Sequence, residues 1–110
     1  MAVLGVLVSG AAAEVFLNIG TGSTGGTYYP VGAAMAKIWN EKIEGMKANA
    51  QSTGGTVNNL QLMVDNEAEV GFMDGAYYAA FKGLGKFEGK PMENLRALVP
   101  LYPEPVQLMV

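Results

Sequence analysis

Hydrophobic and polar positions along the chain alternate between two rhythms. Val15 to Ile19 is a β-rich run bounded by Gly20, and it predicts a first strand. Beyond it, Val31, Met35, Ile38, Trp39 and Lys42 recur at helical spacing, with Lys37, Asn40, Glu41 and Glu44 mostly on other faces. Pro30 suits the first turn of this helix, where a fixed φ helps and the missing N–H costs nothing; Gly45 marks its end. The Met and Trp stripe is read as core packing rather than as a cofactor box. Met46 to Gln51 predicts a second strand, and Thr56 to Asn66 a second helix with Val57, Leu60, Met63 and Val64 along one side. Val70 to Met73 predicts a third, fully apolar strand, and Asp74-Gly75 turns it into a helix with Tyr77 and Phe81 four apart, stopped by Gly83 and Gly85. A loop with Lys86, Lys90 and Pro91 leads to a fourth strand pattern, Leu95 to Leu101, which Pro100 restricts to an edge or a strand end. Tyr102 to Pro105 is a rigid break, and Val106 to Val110 reads as another strand.

Strand, loop and helix repeated three times predict βαβ units. The fold class is therefore α/β, an open, mostly parallel sheet with helices on both faces and right-handed crossovers. Ligands of such sheets bind outside the carboxyl ends of the strands. At that edge one pentapeptide occurs twice, as Ser23-Thr24-Gly25-Gly26-Thr27 and as Ser52-Thr53-Gly54-Gly55-Thr56, each copy between a strand and a helix. Glycine pairs let backbone N–H groups approach a ligand, Ser and Thr add hydroxyls that can also cap the following helix, and two helix N-termini aimed at one point suit an anion. Two identical copies at equivalent places argue against simple flexible turns. The candidate ligand-binding residues are Thr21, Gly22, Ser23, Thr24, Gly25 and Thr27 in the first loop and Ser52, Thr53, Gly54 and Thr56 in the second. Tyr28 and Tyr29 flank them, one facing the ligand and the other the core, since helix neighbours point about 100° apart. Asp74 and the Tyr102 to Pro105 turn fall at the same edge.

Composition narrows the chemistry. Half of the 110 residues are hydrophobic and 15% are charged, which predicts a folded domain. The net charge of −3 comes with no basic cluster, so nucleic acid is not an expected partner. The absence of Cys and His removes thiol chemistry, imidazole catalysis and the usual zinc sites, and no cofactor or metal is expected. Gly20 to Gly25 matches G-x-G-x-x-G, but a dinucleotide-binding helix starts at the middle glycine and would bury Pro30 in its interior. The acidic residue expected on the ribose is also replaced by Gln51, Ser52 and Thr53. Gly20 to Thr27 fits the phosphate-binding loop except that Gly26 stands where its lysine should. Asp65, Glu67 and Glu69 read as a solvated turn, not a cation site. Residues 1 to 13 are uncharged in their side chains, too short to span a bilayer, and end in three alanines before Glu14. They read as the remnant of a secretory signal lacking its basic n-region, with residues 14 to 110 as the domain proper.

Three segments, NIGTGSTGGTYYPVG from Asn18 to Gly32, STGGTVNNL from Ser52 to Leu60 and NLRALVPLY from Asn94 to Tyr102, resemble the TAXI-type solute-binding receptors of tripartite ATP-independent periplasmic (TRAP) transporters. The resemblance covers nearly everything after Glu14. It implies the first lobe of a type II periplasmic binding protein, in which two α/β lobes close on a small solute, usually an amino acid or dicarboxylate-like anion. The implied partner is a membrane permease, and the receptor itself does not span the membrane and is not an enzyme. In this family the third strand commonly ends in Gln, whereas this chain has Asp74, which favours a ligand ammonium or hydroxyl over a second carboxylate. Arg96, the only arginine, lies on the predicted fourth strand at the end away from the loops, so no arginine clamp is expected. The alternative from another class is a nucleotide- or phosphate-utilising enzyme built on the first glycine loop. If the leader reading holds, sequencing the N-terminus of exported protein will show residues 1 to 13 removed; folded cellular protein beginning at Met1 would refute it.

Overall fold

The computed structural model describes residues 13–109. The expected leader lies almost wholly outside the described residues. The elements are β1 (Val15–Gly20), α1 (Tyr28–Lys42), β2 (Met46–Gln51), α2 (Thr56–Val64), β3 (Val70–Gly71) and α3 (Ala76–Lys82), with a short 3-10 turn at Gly85–Phe87. The three strands form an all-parallel sheet in the order β2-β1-β3. β1 is central, pairing Val15 with Met46 through Gly20 with Gln51 on one side, and Ile19 with Val70 and Gly20 with Gly71 on the other.

Strand alternation divides the apolar residues between the two sheet faces. Ile19, Ala48 and Phe72 pack with Ala36 of α1, and Leu17, Val31, Met35 and Trp39 close around them. On the opposite face Leu60 of α2 and Ala80 of α3 pack with Leu95, flanked by Met63, Met73, Tyr77 and Phe81. The predicted α/β sheet with helices on both faces is therefore the observed one. Pro30 falls in the first turn of α1, and Tyr77 and Phe81 stack with ring centroids 6.1 Å apart.

Three expectations require correction. Leu95 to Leu101 and the described part of Val106 to Val110 form no strand. A strand exists only through its ladder, yet Pro100, Pro103 and Pro105 offer no N–H, and two-residue β3 presents a very short edge. Only Leu95 is buried in that segment, where the neighbouring Met92 N–H is tied to the Ala80 carbonyl (2.9 Å). The third strand is likewise shorter than Val70 to Met73, because β1 ends at Gly20, although the Phe72 N–H still reaches the Gly20 carbonyl at 2.9 Å. The inward face of α2 is rotated from the predicted one. Val57 and Val64 are 49% and 55% exposed, while Thr56, Asn59 and Leu60 are buried. Ile38 similarly lies 53% exposed on α1, outside the buried stripe.

The outer edge of β2 is closed by a side chain. The Asn40 amide donates to the Ala48 carbonyl (2.9 Å) and accepts from the Ala48 N–H (2.6 Å), taking the place of a neighbouring strand at that residue. Asn40→Ala removes both bonds and leaves two main-chain groups at a partly buried edge. A loss of about 1–2 kcal/mol is expected, read as a lower urea midpoint at unchanged slope.

Candidate functional site

The end of β1 and the end of β2 remain joined beyond the ladder. The Thr21 N–H donates to the Gln51 carbonyl (3.0 Å), and the Thr21 hydroxyl donates to the same oxygen (2.6 Å). One step further, the Gly22 carbonyl accepts from the Thr53 N–H (3.1 Å) and from the Ser52 hydroxyl (3.0 Å). The residues just before the first pentapeptide are therefore fastened to the first two of the second, since the register that sets Gly20 opposite Gln51 puts the two copies two residues out of step. Their outer parts differ. Ser23 to Gly26 forms a turn closed by the Gly26 N–H on the Ser23 carbonyl (2.9 Å), and Ser23, Thr24, Gly25 and Thr27 are all exposed. In the second loop Ser52 and Gly54 are exposed, and the Gly54 N–H donates to Asn58 Oδ1 (3.0 Å).

The hydroxyls divide into two groups. Those of Thr21, Ser52, Thr53 and Thr56 are committed to internal bonds, so they hold the loops rather than reach outward. Thr21 is fully buried and cannot touch a solute through its side chain. The outward-facing candidates are Ser23, Thr24 and Thr27. Neither long helix takes a side-chain cap: α1 starts after Thr27 and α2 after Gly55, each without a hydroxyl bonded to its first turn. The capping role expected of these Ser and Thr residues is thus not used, and the first-turn N–H groups of α1 and α2 have no partner within their own helix. Gly55 has φ 98°, a conformation open to glycine, so the loop's left-handed position is here rather than at Gly54. The start of α1 at Tyr28, well past Gly22, also departs from a dinucleotide-binding loop, whose helix begins at the middle glycine.

The two tyrosines separate as helix geometry requires. Tyr29 lies in a shallow groove between α1 and β2 with Lys37 and Asn49, away from the loops' shared edge. Tyr28 turns over the end of β3, its ring centroid 5.2 Å from that of Phe72, and its hydroxyl donates to Glu104 Oε2 at 3.1 Å. Asp74 is brought to the same corner: its N–H donates to the Thr56 hydroxyl (3.2 Å), and its Oδ1 accepts from the Ala76 N–H (2.9 Å) at the start of α3. Burial, the bond to Glu104 and the charges of Glu104 and Asp74 push the Tyr28 hydroxyl up to about 12, against a smaller opposing pull from Thr56. Burial and Glu104 also raise Tyr102. Beside this corner runs a cleft of about 1260 Å³ between β3–α3 and the extended residues 94–106. It meets the candidate residues only at Tyr28 and Asp74. Arg96 borders it but donates to the carbonyls of Glu93 and Leu95, both at 2.7 Å.

Two residues of this region were missed by sequence reasoning. Asn59 is fully buried and donates to the carbonyls of Thr21 and Phe72, both at 2.8 Å. The available signal was a polar residue at i+3 from Thr56, one position before Leu60 on the same helical face. Glu104 belonged to a turn already placed at this edge, but nothing in the spacing paired it with Tyr28. Asp65, Glu67 and Glu69 are exposed, and among the described residues no three acidic or other ligating side chains gather around a common point. No described helix is long and apolar enough to cross a membrane.

A parallel α/β sheet that gathers two glycine loops at its carboxyl edge has the architecture of a binding-protein lobe. Residues 19–110 match the NMT1-like family, and the chain belongs to that family, one of periplasmic solute-binding proteins rather than enzymes.

The Tyr28 environment makes a spectroscopic prediction. Phenolate absorbance should show a component ionising near pH 12, which Tyr28→Phe removes and Glu104→Gln shifts downward. Because the folded-state value lies above the ordinary 10.0, the unfolded chain releases this proton first. Stability from this group is therefore intact below pH 10 and falls as the pH rises toward 12; equal pH dependence in wild type and Tyr28→Phe would contradict the assignment.

Proposed function

We propose that the chain is the N-terminal lobe of a TAXI-type extracytoplasmic receptor that captures a small anionic or zwitterionic solute and delivers it to a TRAP-type permease. The observation carrying this reading is the fastening of the two loop bases through Gly22, Ser52 and Thr53, which holds both loops, each leading into a helix, at the sheet's carboxyl edge. The solute's anionic end is held by first-turn N–H groups of α1 and α2 and by the exposed hydroxyls of Ser23, Thr24 and Thr27, with the helix dipoles adding to the attraction. Tyr28 supplies an aromatic wall. Asp74 carries a negative charge on the flank and favours a ligand ammonium or hydroxyl there.

One lobe supplies part of such a site. A closed cleft buries roughly 70–90% of a small ligand, so a single face gives up both contacts and the exclusion of water. Losing about half the binding free energy of a micromolar site leaves a dissociation constant near the millimolar range. Titration calorimetry or chemical-shift titration of the 110-residue chain with amino acids and dicarboxylates is expected to show binding of that order. Micromolar affinity would overturn the two-lobe reading, and no response to any of them would overturn the solute assignment. A Cβ added at Gly25 meets no atom within 4 Å, so Gly25→Val is accommodated by the chain itself. It should leave helix content unchanged and abolish the binding response; retained binding would show that the first loop is only a turn.

A further inference from the structure

The two loops and the β3–α3 turn are distant in sequence, yet one side chain touches all three segments. Asn59 donates one amide hydrogen to the Thr21 carbonyl and the other to the Phe72 carbonyl, both at 2.8 Å. Its Oδ1 accepts from the Thr53 hydroxyl at 2.6 Å, and that hydroxyl in turn accepts from the Gly55 N–H at 3.1 Å. The orientation of the amide is thereby set: carbonyl oxygens can only accept, so the NH₂ of Asn59 must face Thr21 and Phe72 and its oxygen must face Thr53, whose hydroxyl also lies 3.0 Å from the Thr21 carbonyl. The residue has no exposed surface, and Gly20 leaves room for it, since a Cβ there would lie 2.7 Å from Asn59 Oδ1.

We propose that Asn59 is the positioning residue of the site, holding the first loop, the second loop and the end of β3 as one unit without touching the solute. The role in solute capture rests on the functional reading above; the mechanical coupling does not. A buried amide with both hydrogens and its oxygen engaged has one arrangement, so a shift in any one segment must either move the other two or break a bond in a place water does not reach. The loop bases are fastened to each other directly; what Asn59 adds is the link from both of them to the end of β3. No isosteric side chain reproduces it: leucine lacks all three bonds, and a carboxylate sets one negative oxygen against two carbonyls.

The test uses Asn59→Asp in the 110-residue chain, with amide exchange followed at Thr21, Thr53 and Phe72, one reporter in each segment and each hydrogen-bonded in the native fold. None of the groups bonded to Asn59 titrates, and Tyr28, packed on Phe72, and Asp74, tied to Thr56, remain in the wild-type control run over the same pH range. With the new carboxyl ionised, protection at all three reporters should fall at least tenfold relative to wild type. Acidification, which returns one of the two donor hydrogens and removes the charge, should raise protection at all three reporters together with a single midpoint. Affinity for L-glutamate, a probe carrying both amino-acid and dicarboxylate ends, should follow the same curve. Separate midpoints, or loss confined to α2, would overturn the coupling. If Asn59→Asp stays unfolded throughout, Thr53→Val decides: protection at Phe72 should fall although Thr53 makes no bond to that residue, and Thr53→Ser should restore it. An unchanged Phe72 in Thr53→Val would refute the proposal. A wild-type chain that ignores glutamate while the three reporters still move together would count against glutamate as solute and leave the coupling standing.

Discussion

The end of a parallel sheet is a problem in hydrogen bonding, and this fold depends on how it is solved. Where β1 stops, the carbonyls of Thr21 and Gly22 leave the ladder while still enclosed by protein, and each would cost about 1–3 kcal/mol if left without a donor. Thr53 and Ser52 satisfy Gly22, and Asn59 satisfies Thr21 together with Phe72 across β3. No buried side-chain nitrogen or oxygen among the described residues lacks a partner. The repeated pentapeptide therefore serves two purposes in its two copies. The second uses its hydroxyls as fasteners, and the first, held by them, is left with an exposed tip.

This division explains why a loop rich in glycine can still be rigid at its base. The conformational freedom of Ser23 to Gly26 is confined by a turn on one side and by β1 and the second loop on the other. A solute cradle of main-chain N–H groups needs that confinement, because amides that reorganise on binding lose the advantage of being in place beforehand. Tyr28 and Asp74 are positioned by the same bonds at one remove, since Asp74 is tied to Thr56 at the start of α2 and Tyr28 packs on Phe72, whose carbonyl Asn59 holds.

The C-terminal segment joins no strand. Residues 96 to 109 are exposed and unpaired as strand, and their apolar side chains stay largely open, Leu98 at 72% and Leu108 at 87% exposure. Prolines limit this segment's capacity to donate, and β3 is too short to template it. Glu104 nevertheless reaches Tyr28, so the segment bends back to the carboxyl edge and forms one wall of the adjoining cleft.

Periodicity and punctuation determined the order and type of the first six elements, because those signals are local: a β-rich run closed by Gly20 for β1, short strand-like runs between helical stretches for β2 and β3, period-3.6 stripes for the helices, Pro30 in a first turn and Gly83 after a last one. The parallel βαβ order, with one copy of the repeat after each of the first two strands, placed the two loops at one edge, and the repeat marked them as a pair. What it could not convey was which hydroxyls point outward, since that depends on which main-chain acceptors lie across from them. Asn59 shows the same limit in sharper form, reading as a polar interruption of α2 until Thr21, Thr53 and Phe72 are brought around it. Leu95 to Leu101 shows the converse: a segment can carry a strand's composition and still form none, because a strand is made by its neighbour. Local patterns record what each residue prefers by itself; hydrogen-bond partners far apart in sequence are chosen only when the chain has folded.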